Sequence, residues 1–338
     1  MRTFCLLVSA VLAVSCKNTK PAVATDNSDP TKYLNTITAA ELKQHMLVIA
    51  SDEMEGRETG SIGQKKAGTY LIEQYKKDRI RQPKGAKDYY QHVPAEFMNG
   101  KYGQTLPDSE NIWAFIEGSV HPEEIVVLSA HYDHVGMKNG QVYNGADDDG
   151  SGTVTLLEIA QALQIAKKEG RGPKRSVLIL HVTGEEHGLH GSRYYSENPI
   201  FPLANTIANV NIDMIGRHDP EHEDSSDYMY SIGSNRLSSQ LQQIIEDVNQ
   251  KYTQLKIEYR YDAPDDPNRF YFRSDHYNFA KNGIPSVFFF SGIHADYHQP
   301  GDDADKIEYD ALAKRAKLAF ATIWELANRN ERIVVDKK

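Results

Sequence analysis

The chain's 338 residues are 40 % hydrophobic and 25 % charged, which excludes disorder as the main state and supplies apolar material for a core. With 38 basic against 47 acidic residues the net charge is −9, which argues against a nucleic-acid partner and suits metals or cationic ligands. The two cysteines, Cys5 and Cys16, lie at the start, so the folded body has no disulfide, thiolate metal site or thiol nucleophile.

In chain order, residues 1–16 (MRTFCLLVSAVLAVSC) join an early arginine to a short apolar run ending at small residues, the pattern of an export signal. The run falls short of the roughly 20 apolar residues that cross a bilayer. Ala13-Val-Ser-Cys16 resembles the bacterial lipobox, with alanine where leucine is usual. It predicts an exported bacterial lipoprotein, periplasmic or attached to the outer membrane, whose only membrane contact is a lipid anchor at Cys16; the alternative is an ordinary signal cleaved before Lys20. Residues 17–35 lack an apolar period and read as a flexible tether, leaving 36–330 as one folded domain. Thr38 and Glu41 form a capping-box pattern ahead of a helix over 39–50, and a second helix is predicted from Gln64 to Lys77. Strands predicted at 111–117, 125–130, 176–183, 207–212 and 286–290 alternate with helices at 152–168, 237–252 and 309–328. That alternation implies an α/β fold with a mainly parallel sheet and helical crossovers. The stretches 218–227 and 262–269 read as exposed loops.

In open α/β sheets, ligands bind in the crevice outside the carboxyl ends of the strands. Here the strand ends are followed by His131, Asp133 and His134, by Glu185, Glu186 and His187, by Asp213, and by Asp296, Tyr297 and His298. The loop Asn144–Gly152 adds Asp147, Asp148 and Asp149. So many carboxylates in one crevice cost several kcal/mol unless cations neutralise them, so the pattern predicts a metal site. Oxygen and imidazole ligands without thiolates suit zinc, cobalt or manganese.

The motifs Ala130-His-Tyr-Asp133, Gly145-Ala-Asp-Asp-Asp-Gly-Ser-Gly152, Gly184-Glu-Glu186 with Gly188-Leu189 and Gly191-Ser192, Asn211-Ile-Asp-Met-Ile-Gly216, and Tyr297-His298 before Pro300-Gly-Asp-Asp303 resemble those of the M28 metallopeptidases, the dinuclear-zinc aminopeptidases. Ser51 to Arg57, with Thr59, Gly60 and Gly63, extends the likeness, which covers about residues 40–325. The resemblance implies a three-layer α/β sandwich of the zinc-exopeptidase type, its mixed, mostly parallel sheet carrying helices on both faces. It also implies two zinc ions and hydrolysis of peptides with a free N-terminus. It assigns His131 and Asp213 to one metal, Glu186 and His298 to the other, Asp148 as the bridge, Glu185 as general base, and a cis peptide after Asp148. Neighbouring residues of an extended segment point to opposite sides, in keeping with separate roles for Glu185 and Glu186. Asp133 shares a face with His131 and is expected to receive its second ring N–H. Tyr297 is a candidate hydrogen-bond donor to the oxyanion, or else simple packing.

His134, His187 and His190 lie off this ligand pattern and read as rim residues or as supports behind the ligands rather than as ligands, His218 and His222 as solvated, Ser274-Asp275-His276 as pocket wall, and Phe270 to Phe272 as pocket or lid aromatics. The segment from Arg79 to Ser109 is too short for an inserted protease-associated domain. Three rival readings remain. A glutaminyl cyclase shares the scaffold but favours an indole-lined pocket, and only Trp113 and Trp324 are available. A carboxypeptidase or dipeptidase would need a rim arginine, which Arg217 or Arg273 could supply. A non-catalytic binding ectodomain usually lacks metal ligands that are all present here.

Overall fold

The structure, a computed structural model, describes residues 29–99 and 105–337. The expected export signal and the Cys16 anchor lie outside the described residues. The end of the expected tether does not: Thr31–Leu34 form a helical turn, α1, with Tyr33 and Leu34 buried. Tyr33 stacks on Trp324 with ring centroids 5.6 Å apart, and its hydroxyl donates to Glu169 at 2.8 Å. Folding therefore begins before residue 36, because one aromatic and one aliphatic side chain suffice to seat this polar stretch on the core.

The helices that follow are α2 (Ala39–Ile49), α3 (Ile62–Asp78), α4 (Ala95–Asn99), α5 (Gly152–Lys168), α6 (His190–Glu197), α7 (Ser239–Val248), α8 (His276–Ala280) and α9 (Tyr309–Asn328). The strands are β1 (Tyr90–Val93), β2 (Ser109–Ile116), β3 (His121–His131), β4 (Met137–Lys138), β5 (Gln141–Val142), β6 (Arg175–Val182), β7 (Thr206–Ile212), β8 (Tyr228–Ile232), β9 (Lys256–Glu258) and β10 (Ser286–Phe290). Thr38 caps α2 as its spacing predicted, its Oγ1 accepting the Glu41 N–H at 3.2 Å. The predicted helix over 237–252 ends instead at Val248 and continues as a wider turn, Asn249–Thr253.

Eight strands form one sheet in the order β1-β2-β6-β3-β7-β10-β8-β9, and β4 pairs with β5 in a separate ribbon. The central four, β6, β3, β7 and β10, are mutually parallel, while β2 and β8 run antiparallel to them. Every residue of β6, β7 and β10 is buried, as expected of parallel strands covered on both faces. In β3, Val126, Leu128 and Ala130 join the core formed with α2, α3, α5, α7 and α9, whereas Ile125 and Val127 pack in the opposite layer with Tyr195 of α6 and Phe279 of α8. The period-two alternation of side chains thus builds the three layers. Because β3, β6, β7 and β10 point the same way, their carboxyl ends deliver residues 131, 185–186, 213 and 298 to one edge.

The stretch 218–227, expected as an exposed loop, is partly packed. Asp219 is buried, and His222 lies between Asp219 (2.7 Å) and Glu258 (3.0 Å) while stacking on Tyr228 at 3.5 Å, so it is not the solvated histidine expected. The fully buried Arg315 of α9 donates to the carbonyls of Ile215, Arg217, Ser226 and Tyr228 at 2.7–3.0 Å, satisfying loop backbone that the core hides from water. Among the described residues no helix is long and apolar enough to cross a membrane.

Candidate metal centre

The three aspartates between Gly145 and Gly150 do different work. Asp147 Oδ1 accepts the Gly216 N–H at 2.6 Å, and Asp149 Oδ1 accepts those of Gly152 (2.9 Å) and Met214 (3.1 Å), so the outer two staple this loop to the one beyond β7. Asp302 accepts the N–H groups of Asp147 and Asp148 at 3.0–3.1 Å and fixes the loop from the other side. Asp148 is left facing the crevice, and the peptide after it is cis, as the resemblance implied. Beneath the loop, the fully buried guanidinium of Arg57 donates to the carbonyls of Ile49, Tyr132, Asn144 and Gly145 at 2.6–2.9 Å. The segment Ser51–Arg57 is therefore a clamp under the centre, a role its sequence did not disclose.

The two oxygens of Asp148 face two separate groups. Oδ1 lies 3.2 Å from His131 Nε2, which in turn is 3.6 Å from Asp213 Oδ1. Oδ2 lies 3.0 Å from His298 Nε2 and 3.7 Å from His134 Nδ1. Glu186 closes the second group, its Oε2 2.9 Å from His298 Nε2 and its Oε1 2.9 Å from His134 Nδ1. Asp149 also stands within ligand reach of His131 and Asp213, but Asp148 is the carboxylate with one oxygen toward each group, so Asp148 is the better bridge.

The five expected ligands thus come together, and two supporting roles differ from expectation. His131 is oriented by residue 133 through the backbone carbonyl, 3.0 Å from Nδ1, rather than through the carboxylate, 3.8 Å away. The Asp133 carboxylate instead accepts the Thr59 hydroxyl at 2.8 Å and the Glu185 N–H at 3.2 Å, holding the segment that carries the expected base. Ser274, read as pocket wall, donates to Asp213 Oδ2 at 2.7 Å and accepts from Asn211 Nδ2 at 2.8 Å. No sequence signal tied residue 274 to residue 213, because the pairing depends on packing across the strand ends.

Electrostatics at the centre call for cations. Burial alone would disfavour an imidazolium, yet Asp213, Glu185 and Asp148 hold His131 well above its ordinary range, and Asp148 and Glu186 push His298 up to about 10. Burial, reinforced by Asp213, Glu186 and Asp275 and opposed by His131, pushes the Glu185 carboxyl well above the usual carboxylate range. Buried Asp148 Oδ2, Glu186 Oε1, His298 Nε2 and both ring nitrogens of His134 have no hydrogen-bond partner, although buried polar atoms are almost always satisfied. Close approach without hydrogen-bond geometry is how ligand atoms meet around an ion. The oxygen and imidazole donor set fits zinc.

Next to this centre a small cavity is lined by the polar residues His131, Asp148, Glu185 and Asp213 and by the apolar residues Met214, Phe270, Phe288, Phe290 and Ile293, with Arg273 and Tyr297 completing it. Tyr297 stacks on His298 with centroids 4.0 Å apart. Of the expected aromatic wall, Phe270 lines the cavity, whereas Phe272 is exposed. Arg217 is engaged with Asp296 at 2.7 Å. His190 and His134 are both fully buried, which leaves the supporting position rather than the rim, of the two expected for them.

The chain is 30 % identical over 225 residues to a "Probable leucine aminopeptidase" of Trichophyton verrucosum, a match covering 64 % of this chain and 57 % of that protein. It thus spans just over half the length of that relative. Its fold is similar to the LapA aminopeptidase of Legionella pneumophila (TM-score 0.70, 19 % identity, 96 % of this chain and 81 % of that one). It is also similar to the glutaminyl cyclase of Porphyromonas gingivalis (TM-score 0.65, 18 % identity, 85 % and 97 %). The family model of peptidase family M28 matches residues 111–323, more than half of the chain, and the protein belongs to that family.

Proposed function

We propose that this protein is a zinc-dependent exopeptidase, an aminopeptidase that removes N-terminal residues from peptides. The observation that carries the reading is the arrangement of Asp148, whose two oxygens face separate imidazole–carboxylate groups beside Glu185 at the wall of the cavity. His131 and Asp213 would hold one zinc ion, Glu186 and His298 the other, with Asp148 between them; cobalt or manganese could substitute. Bound there, the ions would acidify a water molecule and polarise the scissile carbonyl. Glu185, on the cavity wall beside His131 and Asp213, takes the proton of the attacking water and returns it to the departing amine. Asp133 holds the Glu185 backbone in place for both transfers. Tyr297, which lines the cavity, would donate to the oxygen on which negative charge develops. The carboxylates around the opening favour a substrate's N-terminal ammonium, and the apolar wall suits an apolar first side chain. The sequence at Cys16 supports export with a lipid anchor, and cell fractionation with a fatty-acid probe tests that separately.

A glutaminyl cyclase on the same scaffold is the second reading, favoured by the structural likeness to that enzyme. Incubation with Leu-Gly-Gly and Gln-Gly-Gly, followed by mass, separates the two. The expected result is loss of Leu from the first peptide, abolished by N-acetylation, with about two zinc ions per chain. Loss of ammonia from Gln-Gly-Gly without cleavage of either peptide, at one zinc per chain, overturns the peptidase reading. Cleavage confined to free-carboxylate dipeptides would mark a dipeptidase that uses Arg273.

A further inference from the structure

The two sides of Asp148 are unequally supplied with donors. On one side stand His131 and Asp213. On the other stand Glu186, His298 and a third residue, His134, which lies outside the ligand pattern read from the motifs. His134 is fully buried, and both its ring nitrogens lack a hydrogen-bond partner. Its Nδ1 is 2.9 Å from Glu186 Oε1 and 3.7 Å from Asp148 Oδ2, and these three residues form one of two clusters whose ligand atoms lie within 4.8 Å of one another. Atoms bound tetrahedrally about 2.0–2.1 Å from zinc stand roughly 3.3 Å apart, so these separations bracket a coordination edge. The ring has little freedom to turn away. A Cβ on Gly145 would fall 2.5 Å from its Cγ and Cδ2, and its backbone N–H is held by the Arg57 carbonyl at 3.1 Å. The cavity supplies an independent observation: it is lined by His131, Asp148, Glu185 and Asp213, and neither His134, Glu186 nor His298 reaches it.

We propose that His134 is a third protein ligand, beside the bridging Asp148, of the metal held by Glu186 and His298, which makes that position a closed, protein-filled site and leaves the His131–Asp213 metal as the one open to substrate. This rests on the dinuclear reading above. Closed four-ligand zinc sites are structural and sites with an open position are catalytic, so the inference divides the labour between the ions.

The test is protein labelled with ¹⁵N-histidine and loaded with ¹¹³Cd, in which nitrogen–cadmium coupling marks each coordinating imidazole. Three coupled imidazoles with two cadmium ions bound are expected, the His134→Ala variant losing one of them. Zinc titration of His134→Ala should weaken one site at least about 100-fold, beyond what loss of an outer-shell partner typically costs, and leave the other within a few-fold. His134→Asn keeps an N–H near the Nδ1 position and should be equally weak if the ring coordinates. Two bound ions with two coupled imidazoles, or wild-type zinc affinity in His134→Asn, would overturn the proposal while leaving the dinuclear reading intact. Fewer than two ions in the wild-type protein would instead remove the dinuclear reading and this proposal with it. The wild-type spectrum decides even if a variant fails to fold.

Discussion

The His131–Asp213 side of the centre and the Glu186–His298 side differ in what holds their ligands. His131 leans on the carbonyl of residue 133, and Asp213 is tethered through Ser274 to Asn211, so both are oriented by hydrogen bonds that do not involve a metal. Glu186 Oε1 and His298 Nε2 instead have no such partner, and the atoms nearest them are other would-be ligands. The first side is held by hydrogen bonds independent of any metal, and both its ligands line the cavity. The second depends on what sits between its donors. Hydrogen-bonded support is thus concentrated on the side whose residues line the cavity.

Removing the group that both sides share should have the largest effect. Asp148→Ala is expected to lose both metals and reduce peptidase activity to background, with metal analysis and a melting curve as the measurement. Stripping the wild-type metals with a chelator should lower the melting temperature by roughly 5–10 °C, since a ligand at a hundred times its Kd contributes about 2.7 kcal/mol. A mutant that keeps two ions would show that Asp148 bridges nothing.

Glu185→Gln should come next, losing about 10²- to 10⁴-fold in kcat while retaining both metals, because only the proton carrier is removed. A near wild-type rate, or loss of metal, would count against its role as base.

Ser274→Ala tests the difference between the sides most directly. Its loss should weaken one zinc site by about 10- to 100-fold through Asp213 and leave the Glu186 site unchanged. Equal weakening of both sites would show that the two positions are not independently supported.

Arg273→Ala should have the smallest effect. As an exposed cation at the cavity it would raise KM for free-carboxylate dipeptides about two- to fivefold, leave kcat unchanged, and not alter KM for the corresponding amides. A loss of more than tenfold would favour the dipeptidase reading.

Much of this was legible in residue order. The strands at 125–130, 176–183, 207–212 and 286–290 and the helices at 152–168 and 309–328 appear within a few residues of where periodicity placed them. The helix over 152–168 was readable because apolar residues recur at helical spacing, and the buried strands because parallel pairing demands nearly continuous apolar runs. A metal site was visible because carboxylates and imidazoles gather at strand ends, in the loop after the last parallel strand and in one acidic, glycine-rich loop, while the individual ligands were singled out only by the resemblance to the family's motifs. His222 and Arg57 were not readable. A histidine in an acidic stretch and an arginine in a polar one look solvated until the partners that bury them are known.

What the sequence determined by itself, then, was which strand ends carry chemistry, since that follows from local pattern and from the rule that parallel strands present one edge. What only the tertiary structure decided was how those residues are held and shared. Asp147 and Asp149 became staples while Asp148, between them, stayed free; Asp133 took the Glu185 backbone rather than the His131 ring; Ser274 reached Asp213 from 61 residues away; and His134 turned inward beside Glu186. These are contacts between segments distant in the chain. Their partners are chosen by which buried donor lacks an acceptor once the core has closed, and no local pattern encodes that choice.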